Sequence, residues 1–521
     1  MPTTTQTSKH FAIGLALILL AATAVRLYHV TDPPWGIAAW RDTNTRMIAN
    51  NFAEGSMNLF VPRHDIRLRH QAVDESRVGM TELMVTPWLT SWLFRAFGES
   101  WWSGRVVPIV FSVAGVAMFA LFLRRLFGGR LALVAAFILA LSPYYWYFGR
   151  AHMPEAFALA MVAAALCFLD RYLVERRMRD FVLAIVTAAL MLMAKPQLAG
   201  MTLPLAYLVW LRRGTSGLGD WRLYFLAALV AAPFFAYMAW TAHLARDAGQ
   251  GFSGDWMYRH VELLSSRDYY RTLASGAWTS LTPVVVLLAV IGLFPAKGTE
   301  APWFPHVLLS GSLTLFVLLP GSAILNAHYL IALAPPAALL AAFPIAAALE
   351  RPRLAMVGVL ALLVVAGWSL YTGYRLFVPV HRDLYVAGTW IRDNTPPESL
   401  VLASTPNPAL LYFADRVGWP GWPPSEGRNP HTFDIEYVRE IRDRGATIAA
   451  IPQPWFENAW YADFRGVRDY LYDNFYYLHA GEFAAFDLTR PADLTLPNSG
   501  IIQFGHPTAR RYLRGSWGPD E

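Results

Sequence analysis

Four short runs gather residues whose types and spacing could do chemistry. The first is Trp40-Arg41-Asp42-Thr43-Asn44-Thr45-Arg46. A carboxylate beside cations can take a proton from a hydroxyl while a cation steadies a departing phosphate. The same residues also read as a helix start with Asp42 as N-cap. The second is Phe148-Gly149-Arg150-Ala151-His152-Met153-Pro154-Glu155. Pro followed by an acid is good helix-start chemistry, yet three ionisable groups crowd this one turn. The third, Ala194-Lys195-Pro196-Gln197, offers either a point charge for a phosphate or a lysine that snorkels. The fourth, Asn326-Ala327-His328-Tyr329 ahead of Pro335-Pro336, offers an imidazole and a phenol that are also ordinary interface anchors. Asp42, His152 and Glu155 are compatible with a divalent metal, although no spacing demands one.

These runs have to be positioned by elements that suit a bilayer. The chain has 521 residues, 55% of them hydrophobic and 15% charged, with a mean hydropathy of +0.33. A soluble domain carries about a quarter charged residues. Apolar residues come in blocks, near 11–30, 104–123, 131–148, 155–173, 181–194, 198–211, 222–241, 278–294, 305–320, 328–348 and 353–375. That is the pattern of about eleven spans in an α-helical polytopic membrane protein. The formal charge of +6 sits in clusters between blocks, which orients spans and gives no sign of a nucleic-acid partner. Arg124-Arg125, Arg176-Arg177, Arg212-Arg213 and Arg351 with Arg353 mark cytoplasmic loops, which puts the N-terminus inside. Residues 31–103, 242–277 and everything after 376 then lie outside, and all four candidate runs fall on that outer face. The apolar start resembles a signal peptide, but it continues to Tyr28 and more spans follow, so we expect it to be retained. The lone Cys167 permits no intramolecular disulfide.

Two domains are expected: a transmembrane catalytic domain, 1–375, and a soluble extracytoplasmic α/β domain, 376–521. Within loop 31–103, residues 41–53 and 83–97 read as amphipathic helices at the interface. In the tail, 384–394 and 434–444 read as helices, and 399–403 and 446–451 as strands. No zinc-ligand spacing, Gly-rich phosphate loop, Gly-x-Ser-x-Gly elbow or internal repeat is present.

The layout resembles the GT-C superfamily of membrane glycosyltransferases, nearest to its bacterial and archaeal protein O-mannosyltransferase and aminoarabinose-transferase-like branch. The resemblance rests on Trp40-Arg41-Asp42 after the first span and Gly79-Met80-Thr81-Glu82 in the long loop. It continues through Gly98…Ser103-Gly104-Arg105, Met153-Pro154-Glu155, Lys195 and His328-Tyr329…Pro335. Tail segments Trp390-Ile391-Arg392 and Leu411-Tyr412-Phe413 belong to the same pattern. It implies an inverting transferase that moves a sugar from a polyprenyl-phosphate donor to a protein, lipid or glycan acceptor outside the inner or plasma membrane. Asp42 and Glu155 align with the catalytic acids. Arg46, Arg150, Lys195, His328 and Tyr329 are the expected contacts to the lipid phosphate. Two positions depart from the pattern: Thr43 stands where Glu is frequent, and Glu155 where Asp is common. An oligosaccharide ligase or polymerase shares the substrate class. A non-enzymatic transporter or flippase fits less well, because the charges lie at span ends rather than at mid-bilayer.

Overall fold

The computed structural model describes residues 4–69, 82–247, 260–294, 301–321, 326–422, 432–452, 464–480 and 483–492. Of the quartet Gly79-Met80-Thr81-Glu82, only Glu82 lies among them. Each of the eleven apolar blocks contains helix. Six helices are long and apolar enough to cross a bilayer, or seven if Arg267–Leu281 and Pro283–Gly292, bent by 103°, form one broken span. The other blocks are shorter for visible reasons. The third is split at Pro143 into Gly129–Leu141 and Pro143–Phe148, because Pro cannot continue the ladder of its predecessor. The sixth opens with Pro196 in a 3-10 turn, Pro196–Met201, before Thr202–Arg213. The chain is a multi-pass membrane protein with a small sheet towards its C-terminus.

By contacts the chain forms two units. The first comprises Met1–Pro34, Ala49–Pro62 and Gly79–Val378; the second comprises Trp35–Ile48, Arg63–Val78 and Pro379–Glu521. Two pieces of the long loop therefore group with the tail, a division that composition at 375/376 did not register.

In the first unit, helix α7 (Glu155–Glu175) packs against α4 (Ser103–Phe127) and α8 (Met178–Ala194). Its alanine-rich sequence lets backbones approach closely, as spans do where lipid supplies no hydrophobic drive. A Cβ on Gly115 of α4 would stand 3.3 Å from Cα of Ala160 and 2.8 Å from the Tyr145 hydroxyl. At roughly 1.5 Å per residue, the 21 residues of α7 run about 30 Å, one hydrocarbon thickness. Its C-terminal end is bound by arginines from the basic loops. Asp170 accepts from Arg125 at 2.6 Å and from Arg212 at 2.8 Å. Glu175 pairs with Arg125 at 2.9 Å and Arg177 at 3.1 Å, and Arg176 with Asp220 at 2.9 Å. The loops near 125, 175 and 212–220 thus meet at one end of the helix packing.

The second unit carries a five-stranded sheet of order β2-β1-β3-β5-β4. Val401–Ala403 (β1) pairs parallel with Gly418–Pro420 (β2) and Ile448–Pro452 (β3); Phe483–Pro491 (β5) runs antiparallel to β3 and to Phe475–Ala480 (β4). The expected tail elements are observed, as Arg382–Asn394, Val401–Ala403, Ile435–Asp443 and Ile448–Pro452. Asp434 caps Ile435–Asp443, its Oδ1 accepting from the Tyr437 amide at 2.7 Å. The free edge of β2 is covered by the long loop. Arg67 N–H donates to the Gly418 carbonyl at 2.8 Å, and Gly418 N–H to the Asp65 carbonyl at 3.0 Å. Only glycine fits there, since a Cβ would lie 2.0 Å from the Val401 oxygen. Next to this pairing, Arg69 bonds Glu440 at 2.7 Å and lies over the Tyr437 ring. The Glu440 carboxyl is held below its ordinary range, chiefly by that hydrogen bond.

Candidate active site

Four chain segments converge at the N-terminal end of α7. Glu155 is the first residue of the helix, where the dipole favours an acid. Lys195 comes directly after the last residue of α8, its extended backbone enforced by Pro196. His328 and Tyr329 lie in the 3-10 turn Ala327–Leu333, and Glu82 stands ahead of α3 (Val85–Phe97). The Lys195 ammonium lies 2.5 Å from Glu155 Oε1 and 3.1 Å from Glu82 Oε1. All three side chains are at most 5% exposed. His328 Nε2 approaches Glu155 Oε1 at 3.5 Å, and the ammonium sits 5.1 Å from the Tyr329 ring centre. Gln197 donates to Glu82 at 3.3 Å, and the Leu83 amide donates to the Met193 carbonyl, tying this strand of loop to the end of α8. One cation therefore serves two carboxylates, beside an imidazole that can add or release a proton. Burial makes such charges costly unless they are paired, so this cluster is either a structural necessity or a site.

In the second unit, Asp42 and Arg46 sit one turn apart on α2 (Ala39–Glu54) and pair at 2.6 Å, both buried. Asp42 thus lies inside the first turn of the helix and not at an N-cap position. Thr43 and Thr45 turn their hydroxyls back to the helix carbonyls of Ala39 and Arg41.

Arg150 and His152 are buried in the turn that leads to Glu155. His152 Nε2 meets Thr90 Oγ1 of α3 at 2.9 Å. Arg150 donates to the His29 carbonyl and lies 4.8 Å from the centre of the Phe377 ring. Among the described residues no group of three or more His, Cys, Asp or Glu side chains is arranged to hold a metal ion. Sequence reasoning singled out Glu155, Lys195, His328 and Tyr329, which the fold brings together. It gave no role to Glu82, Gln197 or Thr90. The available signal for Glu82 was its place in the Gly79-Met80-Thr81-Glu82 run of the long loop.

The fold is similar to that of solved GT-C membrane glycosyltransferases. Residues 82–240 match the family of dolichyl-phosphate-mannose-protein mannosyltransferases. ArnT from Cupriavidus metallidurans, solved bound to undecaprenyl phosphate, is similar with a TM-score of 0.57 at 13% identity, over 93% of this chain and 98% of that one. The archaeal oligosaccharyltransferase AglB from Archaeoglobus fulgidus, solved with an inhibitory peptide and a dolichol-phosphate, gives 0.53 at 12%, over 91% and 74%. The mycobacterial arabinofuranosyltransferase AftD gives 0.54 at 14%, over 92% of this chain and 41% of that one. Among curated proteins no sequence matches the chain.

Proposed function

We propose that the protein is an inverting glycosyltransferase that takes its sugar from a polyprenyl-phosphate carrier on the extracytoplasmic side of the cell membrane. The observation that carries this is the buried Lys195, held between Glu155 and Glu82 beside His328 and Tyr329. It sits at the end of α7 opposite the arginine-bound end, which the positive-inside rule reads as cytoplasmic. In the reaction, the acceptor oxygen attacks the anomeric carbon and the bond to the phosphate oxygen breaks. The electron pair passes to the lipid phosphate, and the acceptor's proton passes to Asp42. Arg46 supplies the charge that accompanies the buried Asp42 carboxylate. Lys195, with His328 and Tyr329, receives the phosphate, and Glu155 and Glu82 orient the ammonium. A lipid donor suits an outward-facing site, because the lipid carries the sugar across the bilayer. Sugar and acceptor are to be read from an assay.

Asp42→Asn keeps shape and removes the base. In a purified, folded variant, transfer from a panel of polyprenyl-phosphate sugars, mannose and aminoarabinose included, falls by about 10²–10⁴. Near wild-type transfer by folded Asp42→Asn refutes this mechanism. Orientation is checked separately. With Cys167 replaced, cysteines at the exposed Ser56 and Ser265 react with an impermeant thiol reagent in intact cells, and one at Ser216 does not.

A further inference from the structure

The chain leaves the first span, α1 (Thr4–Leu27), through a turn at His29 that lies outside the lysine–carboxylate cluster. His29 is a non-glycine residue with φ of +53°, a left-handed conformation that L side chains adopt at a cost of order 1–3 kcal/mol unless the surroundings over-determine it. Here they do. Arg105 donates from one nitrogen to the His29 carbonyl at 2.9 Å and the Val30 carbonyl at 2.6 Å. Arg150 donates to the same His29 carbonyl. Both arginines are almost fully buried, at 5% and 4% exposure. The imidazole is fixed as well, with Nδ1 2.5 Å from Asp32 Oδ2 and the ring against Tyr28 and Phe377.

Cations near a helix C-terminus are ordinarily explained by the dipole. The dipole does not explain these two, because the bonded carbonyls belong to His29 and Val30, beyond the last helical residue. Two buried guanidiniums converge on a single strained peptide. The chain runs on from that peptide into α2, the helix that carries Asp42.

We propose that Arg105 and Arg150 are positioning residues that lock the His29 turn, from which the chain runs on in sequence to the helix that carries Asp42. The inference rests on the transferase reading and changes one part of it: Arg150 does not hold the lipid phosphate. The test uses the full-length protein in nanodiscs, with undecaprenyl phosphate as the binding probe. Three readings are taken: hydrogen exchange over residues 27–34, the Kd for the probe, and transfer in membranes that supply their own lipid-linked sugars. Arg150→Ala and Arg105→Ala speed exchange of the Val30 and Asp32 amides at least tenfold and lower turnover at least tenfold, while the Kd stays within about twofold. Glycine accepts φ of +53° without strain. Adding His29→Gly to either variant therefore restores turnover to within a few-fold of the parent, which a lost phosphate contact would not allow.

A tenfold rise in Kd for Arg150→Ala that His29→Gly leaves in place makes Arg150 a phosphate ligand and overturns the inference. Unchanged exchange in both alanine variants overturns it too. Lys195→Ala serves as control. If it leaves the Kd unchanged while His29→Gly still rescues Arg150→Ala, the phosphate assignment has failed and the turn has not.

Discussion

The two ends of α7 are both acidic, yet they are built differently. At the C-terminal end each carboxylate is gripped by arginine forks: Arg125 and Arg212 on Asp170, Arg125 and Arg177 on Glu175. At the N-terminal end a single lysine is shared between Glu155 and Glu82, with His328 alongside. A guanidinium is a planar fork that fixes geometry, whereas an ammonium is a point charge that can be re-partnered at little cost. The first arrangement fastens loops together. The second can surrender a cation to an arriving anion, and it lies almost wholly out of water. Paired acids thus mean different things at different ends of one helix, and the partner cation distinguishes them.

The comparison breaks most readily at Asp170, which is fully buried. Asp170→Ala leaves two arginines without their shared acid and should cost about 3 kcal/mol of stability, the low end for a broken buried pair because both arginines are partly exposed. The measurement is denaturant unfolding in detergent, with undecaprenyl phosphate affinity unchanged for the fraction still folded. A loss of affinity as large as the loss of stability would merge the two ends into one network. At the other end, Lys195→Ala should weaken lipid-phosphate binding by about 2–4 kcal/mol in a titration of purified protein, with Lys195→Arg keeping part of it. Unchanged affinity would return Lys195 to a structural role. Arg176 and Asp220 offer a milder check, since they are 33% and 17% exposed. Asp220→Asn should cost less than about 1 kcal/mol and leave both affinity and turnover intact.

The smallest effect belongs to the second unit. The pKa of Glu440 is lowered in the folded protein, so its pairing with Arg69 stabilises the fold above the ordinary value of 4.5 and loses that stabilisation as pH falls through the folded value. Glu440 is 31% exposed, so the contribution is under about 1 kcal/mol. Relative to the parent, Glu440→Gln should be less stable at pH 7, and the difference should vanish at acid pH where the carboxyl is protonated in both folded and unfolded states. A difference that persists there would come from packing on Tyr437 and not from charge.

Much of this was legible in the residues. Apolar blocks located the helices because bilayer burial needs uninterrupted hydrocarbon, and residues 446–451 announced a strand, which the fold buries over Ile448–Pro452. Glu155, Lys195, His328 and Tyr329 stood out because their runs fall together on one expected face of the membrane. Glu82 was not, since its meaning depends on Lys195, more than a hundred residues away, and no local pattern encodes that distance. Arg150 shows a related gap between sequence and fold. An arginine beside an acid suggests a phosphate, and only the fold shows its guanidinium on the His29 carbonyl. Asp42 could not be told from a cap by spacing alone, because the helix begins at Ala39, a turn earlier than its residue types suggest.

The pairing of residues 65–67 with the edge of β2 has a bearing on how the protein can be cut and joined. Asp65 and Arg67 are made early in synthesis, and the Asp65 carbonyl and Arg67 amide must wait for Gly418 to pair with them. The tail sheet is therefore completed late, through a contact of very long loop closure. A chimaera that swaps the tail of one relative for that of another at residue 379 inherits a β2 edge shaped for a foreign strand. Grafts that carry residues 63–69 along with the tail should express as folded protein where tail-only grafts aggregate through that exposed edge.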